Sequence, residues 1–304
     1  MKTTIDKLGC RFPIGPIGAD GEVPELMTQS RTFSFCDWTT PLELKIGEIR
    51  ENNKAISAAQ HAQEVLSIVL ASWAGQPTNA SHRERTKLFL AVAAAADVLT
   101  AWLQLRRIVA GNFCTMNLVC PFCDNKFDYR VDLGSIEVET LSPPMDPHFV
   151  APLDSEYMIA GKLRSELTFG EVTWQHHIDM VGMGFNIPRI ELASIAAAVK
   201  GAGLTQKGFV EEPFSVSGVD LEVLPKPSRD GLLQYLKENR LGPDFGLDVR
   251  CPVSACRHRI ETSIDWMYES FFTNRISSPS ERGKKYGRKS SISHMATKAD
   301  SPGT

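Results

Sequence analysis

The chain has 304 residues, of which 42% are hydrophobic and 23% charged, the proportions of a soluble globular protein with ample material for a core. Its net charge of −3 gives no global pull toward nucleic acid or a membrane. The distribution sharpens this: residues 275–304 hold seven basic and two acidic side chains, so a tail of +5 follows an acidic body of −8, which argues against the body as a nucleic-acid platform.

Residues 1–30 are rich in Gly and Pro and read as a flexible, extended arm. Met1 to Asp20 carries Asp6 and Lys7 and builds no apolar run of signal-peptide length. Leu8-Gly9-Cys10 lacks the apolar segment of a lipoprotein signal. Phe33 to Trp38 reads as a short strand, and Thr39-Thr40-Pro41 opens the next element. Leu66, Val69, Leu70 and Trp73 share one face of an expected helix over 53–73, ended by Gly75-Gln76-Pro77. Ser81 and Glu84 form a capping-box pattern for a second helix, with Leu88, Val92, Ala95, Leu99 and Trp102 on its face and Gly111 closing it. Ala93 to Ala96 would let a neighbour approach closely. The apolar stretch Leu88 to Leu103 is too short, and with Asp97 too polar, to span a bilayer.

Further on, Val131 to Val138 reads as strand and Pro143-Pro144 as the start of a loop. Leu163, Leu167 and Phe169 fit strand alternation. Thr168 and Glu171 suggest a capping box for a helix to about Val181. Pro188 to Lys200 reads as a helix, Phe214 to Leu224 as a strand with a turn at Ser217-Gly218, and Ser228 to Asn239 as an amphipathic helix. After Phe272 the sequence has little to bury and is expected to be disordered.

Two cysteine pairs carry the chemistry: Cys120-Pro121-Phe122-Cys123 and Cys251-Pro252-Val253-Ser254-Ala255-Cys256. Each has proline after its first cysteine, an apolar approach before it and a strand-like run behind it. That is the pattern of two zinc knuckles sharing one four-thiolate site. Cytoplasmic folding is expected, where such pairs hold metal more often than disulfides. The second pair is two residues wider than the first. Cys114 and His258 are near enough in sequence to substitute as ligands, whereas Cys10 and Cys36 read as isolated thiols. Thioredoxin-type redox chemistry would need a helix after Cys123, and none is expected. Adjacent residues on a helix do not face one another, so His176-His177 reads as surface histidines. Gly182 to Phe185 and Gly201-Ala202-Gly203 lack the strand-then-helix setting of phosphate loops. Arg282 to Lys289 reads as a solvated tail.

The order of parts, with Leu118 to Cys123, Val131-Asp132-Leu133, and Ile264-Asp265 before Phe271-Phe272, resembles the T4-like phage baseplate hub assembly chaperone family, also found in phage-derived contractile injection systems. The resemblance covers residues 33–140 and 212–274. It implies a non-enzymatic assembly or structural role in a contractile tail, with other baseplate or tail proteins as partners. The protein would act in the cytoplasm or be built into the tail particle. No small-molecule substrate or membrane is expected, and the acidic body disfavours nucleic acid. The alternative is a zinc-ribbon nucleic-acid-binding or transcription-associated adaptor, which the basic tail supports.

The expected fold is α+β: a helical hairpin packed on a small zinc-ribbon-like core. Its segments are the arm, a strand, hairpin and first knuckle over 31–140, a mixed insertion over 141–211, a strand, helix and second knuckle over 212–274, and a disordered basic tail over 275–304. The expected structural zinc is held by Cys120, Cys123, Cys251 and Cys256 at about 2.3 Å.

Overall fold

A computed structural model describes residues 32–52, 56–78, 83–140, 148–181, 187–205, 210–264 and 275–277. The arm over 1–30, Ser81 of the expected capping box, the Gly182 to Phe185 motif and Arg282 to Lys289 lie outside the described residues. The fold is mixed α+β with seven α-helices among those residues. The chain forms two compact units, one from 1–112 with 132–244 and one from 113–131 with 245–304.

In the larger unit, β1 (Phe33–Phe35) precedes α1 (Thr40–Asn52) and α2 (Ala58–Val69). Helix α2 is opened by a Ser57/Gln60 capping box, a signal the sequence carried one residue before the helix. It stops at Val69, earlier than the expected Trp73. Leu70–Trp73 is instead β2, pairing antiparallel with β1 and turning into β3 (Gln76–Pro77). Ala74 and Gly75 both take positive φ, 51° and 74°, as a two-residue hairpin turn of right-handed twist requires. Gly75 therefore marks a hairpin rather than a helix end.

The second expected helix is split into α3 (Arg83–Val92) and α4 (Ala95–Ala110). At the break the Ala95 amide donates to the Val172 carbonyl (2.8 Å), and the Trp174 amide donates to the Ala93 carbonyl (2.9 Å). Alanine favours helix here, and these tertiary hydrogen bonds override it. The break also rotates the expected face: Leu88 and Val92 are exposed while Leu90 is buried. Helix α4 buries every residue from Ala96 to Arg106 and ends, as expected, at Gly111 (φ 78°).

The smaller unit takes β4 (Phe113–Val119) and β5 (Lys126–Asp132). Beyond β5 the expected strand gives way to a 3-10 turn at Leu133–Ser135 before β6 (Val138–Glu139). Back in the larger unit, β7 (Phe149–Ile159) and β8 (Lys162–Phe169) form a hairpin turned by Ala160-Gly161, again both at positive φ. Thr168 lies in β8, its hydroxyl donating to the Gly203 carbonyl, so it caps no helix; α5 is Trp174–Val181.

Helix α6 (Ile187–Ala198) leads into β9 (Val199–Leu204), which pairs with β8 and with β10 (Val210–Pro213). Gly201 lets β10 approach, since a Cβ there would lie 2.3 Å from the Glu212 carbonyl oxygen. The strand expected from Phe214 is absent, and 218–223 is turn. Helix α7 (Lys226–Glu238) completes a core with Phe169, Ile195, Leu221 and Leu232 inside. Strand β11 (Gly242–Pro243) pairs with β6, and a Cβ on Gly242 would meet the Ala96 Cβ at 2.8 Å. The small residues near Ala96 thus admit a strand rather than a helix.

The smaller unit resumes with β12 (Gly246–Arg250) and β13 (Arg259–Ser263), an antiparallel hairpin. Within the expected tail, β14 (Arg275–Ser277) runs parallel to β4. No helix among the described residues is long and apolar enough to cross a membrane.

Candidate metal centre

Both knuckles sit at the turns of two β-hairpins. Along β4 the burial alternates with period two, so that Cys114, Met116, Leu118 and then Cys120 face inward. The Cys120 amide donates to the Asn125 carbonyl (2.9 Å), and the Asp124 amide donates to the Cys120 carbonyl (2.9 Å). Asp124 takes φ 56° to complete the turn. In the second knuckle the Cys251 amide donates to the His258 carbonyl (2.9 Å), and Arg257 takes φ 49°. The two turns therefore close alike: the residue after the second cysteine is left-handed, and the next returns its carbonyl to the first cysteine. The two extra residues of the second pair are absorbed inside it. There the Cys256 and Arg257 amides both donate to the Val253 carbonyl, at 2.9 and 3.0 Å.

This geometry brings together all four predicted cysteines. Cys120 Sγ lies 3.7 Å from Cys256 Sγ, and Cys123 Sγ lies 3.6 Å from Cys251 Sγ. All four sulfurs are within 4.8 Å of one another, a group that could hold a metal ion. A disulfide needs about 2.05 Å, so these contacts are not bonds. A tetrahedral ion with metal–sulfur distances of about 2.3 Å sets its ligands about 3.8 Å apart. The residues present fit that requirement.

Their electrostatics fit it too. Desolvation works to raise the Cys120 thiol, but the amides of Cys123 and Phe122 and the neighbouring sulfurs outweigh it and bring the thiol down to about 7. Burial raises the Cys251 thiol against the Val253 amide. The His258 amide lowers the Cys256 thiol, but desolvation and the other three sulfurs push it up to about 12. One thiolate forms readily in this cluster and the next is opposed by it. A divalent cation, if bound, would supply the charge that lets the remainder ionise.

Other predicted residues fall elsewhere. Cys114 is six residues up the same strand from Cys120, roughly 20 Å at the strand rise, and is no substitute ligand. The His258 ring stacks on Phe122, outside the sulfur group. His176 Nδ1 lies 2.7 Å from the Thr173 hydroxyl. His177 stacks on Trp174, and burial first, then the Arg240 charge, holds its pKa down to about 4. The two histidines form no joint site. Gly201-Ala202-Gly203 lies in β9.

Sequence reading missed a second polar cluster. Asp154 on β7 accepts hydrogen bonds from Ser228 (2.8 and 2.9 Å) and Tyr157 (2.9 Å). Asp154, Ser228, Gly231 and Tyr235 border a cavity of about 240 Å³, and the Ser228 bond ties α7 to the sheet. Its members are 74 residues apart, with no local pattern to join them.

Comparison with protein-family models, with curated proteins and with solved structures found no match.

Proposed function

We propose that this chain is a non-enzymatic assembly factor or structural component of a contractile phage-tail baseplate or a related injection system, acting through protein–protein contacts on a zinc-tied scaffold. The observation that carries the scaffold reading is the four-sulfur group, with two separations of 3.6 and 3.7 Å and all within 4.8 Å. Zinc suits an all-thiolate tetrahedral set. When bound it supplies a cross-link, because four sulfurs fill its coordination sphere and leave no position for water or substrate. The assignment to a contractile tail rests on the residue pattern around Cys120-Pro121-Phe122-Cys123, Val131-Asp132-Leu133 and Ile264-Asp265.

The test has two arms. Protein purified without added metal should carry one zinc per chain by elemental analysis; an iron-loaded or metal-free chain contradicts the zinc assignment. Co-expression with the sheath, tube and baseplate proteins of a contractile tail should yield a stable complex with a baseplate component. Failure to associate with any of them contradicts the tail assignment.

A further inference from the structure

Helix α7 and strand β7, both in the larger unit, enclose a cleft that the cysteines do not touch. Pro227, Gly231 and Tyr235 recur every four residues along α7, so they share one stripe of the helix, and that stripe borders the cleft together with Pro152, Leu153 and Asp154. Gly231 is the anomaly on the stripe. It lies inside the helix, where glycine is destabilising relative to alanine. Neither conformation nor crowding calls for it: its φ is not positive, and a Cβ there would meet nothing within 4 Å. What the missing side chain leaves is space. The cleft holds about 240 Å³, below the roughly 300–1,000 Å³ of pockets for drug-sized molecules, and suits one group the size of a side chain.

The polar end of the cleft is Asp154. Its carboxylate accepts from the Ser228 hydroxyl at 2.8 and 2.9 Å and from the Tyr157 hydroxyl at 2.9 Å. Each hydroxyl has one proton to give, and a carboxylate has about four acceptor positions, so the carboxylate keeps acceptor capacity to spare. The hydrogen bonds from Ser228 first and Tyr157 second hold its pKa below the ordinary carboxylate value, and no cation among the described residues contributes. The α7 cations flanking Ser228 are engaged elsewhere. Lys226 donates to both Asp230 oxygens at 2.9 and 2.7 Å, and Arg229 faces Glu191 at 3.9 Å.

We propose that this cleft binds an organic cation, with its ammonium or guanidinium group on Asp154 and its hydrocarbon stem against Leu232 and Tyr235. The fixed negative charge selects the ligand, since it repels an anion and gains little from a neutral group. The two hydroxyls hold the carboxylate in place before the ligand arrives, which lowers the ordering cost of binding. A free amine and a lysine or arginine side chain of a partner present the same chemistry. The inference goes beyond the proposed baseplate role and stands without it.

The experiment is NMR of the full chain with labelled tyrosine rings, the Tyr157 and Tyr235 signals being assigned through Tyr157→Phe and Tyr235→Phe. Butylguanidinium should shift both signals saturably, whereas butanol and butyrate, with the same stem and no positive charge, should not. Asp154→Asn keeps the shape and removes the charge, and should weaken binding about tenfold to a hundredfold. Gly231→Leu fills the cleft and should abolish binding while the protein melts no lower than the parent, a result that loosening of α7 would not give. A short blocked peptide with one central arginine separates the two sources: tighter binding than butylguanidinium assigns the cleft to a protein partner, and weaker binding to a free cation. The proposal is overturned if butylguanidinium causes no saturable shift, if butanol or butyrate shifts the same signals equally, or if Gly231→Leu binds like the parent.

Discussion

Helix α4 in the larger unit buries eleven consecutive residues, Ala96 to Arg106, and the sheet of β7 to β10 adds a second set around Phe169 and Ile195. In the smaller unit the buried cluster at the knuckles is Cys120, Cys251 and Ile260, with Phe127 and Cys256 packed against it. The larger unit stands on apolar burial. At the knuckles of the smaller unit the buried residues are largely the candidate ligands themselves, so a metal bound there would make the stability of the two hairpins and the metal affinity one quantity.

The largest expected effect breaks that difference open. Cys251→Ser or Cys120→Ser removes a ligand from a site whose binding free energy is about 10–16 kcal/mol in comparable structural zinc sites. The smaller unit should lose its metal and become protease-sensitive between residues 113 and 131 and after 245, with the larger unit still folded. Limited proteolysis with mass mapping checks this. A core change in the larger unit should do the reverse. Phe169→Ala should cost about 3–5 kcal/mol in denaturant titration, with metal content per chain unchanged.

Acid should act on the larger unit through two groups of opposite sign and on the smaller unit through its thiols. Burial, opposed by Arg240 and Lys200, raises the Glu171 carboxyl to about 7 from an ordinary 4.5. The neutral form is therefore favoured in the fold. That contribution is full below about 4.5 and is lost as pH rises through about 7. His177 runs the other way, its contribution present above 6.5 and lost as pH falls through about 4, so Glu171 is best isolated by substitution. Glu171→Gln should stabilise the larger unit on the order of 2 kcal/mol at pH 8 and by nothing near pH 4.5, read from melts across pH. The smaller unit should instead release metal as acid protonates its thiolates, at a midpoint that Glu171→Gln leaves unmoved. The smallest effect sharpens the account of the turns: Arg257→Gly relieves a left-handed residue (φ 49°) and should stabilise the smaller unit by about 1 kcal/mol, seen as slower metal release to a chelator.

The candidate site was legible because its information is local. Two Cys-Pro turns behind strands announce themselves within a few residues, and even the wider second spacing closes through one added turn at Val253. The long elements were harder for a physical reason. Ala93 to Ala96 has the highest helix propensity in the chain, yet the chain leaves the helix there to bond with Val172 and Trp174, nearly eighty residues away. Leu70 and Trp73 fall on the face of α2 by period, but pairing with Phe35 and Phe33 makes them strand. Local patterns decide turns, and long-range hydrogen bonds decide where apolar runs change type. The Phe122 and His258 rings likewise meet only in the fold, since no local pattern pairs them.

Hydrogen exchange followed by mass spectrometry, with and without a chelator, tests the central claim most directly, because it reads both units in one sample. The account predicts that metal removal strips protection from 113–131 and 246–263 together, while α4 and β7 to β9 keep theirs. Full protection of both knuckle hairpins in demonstrably metal-free protein would contradict it.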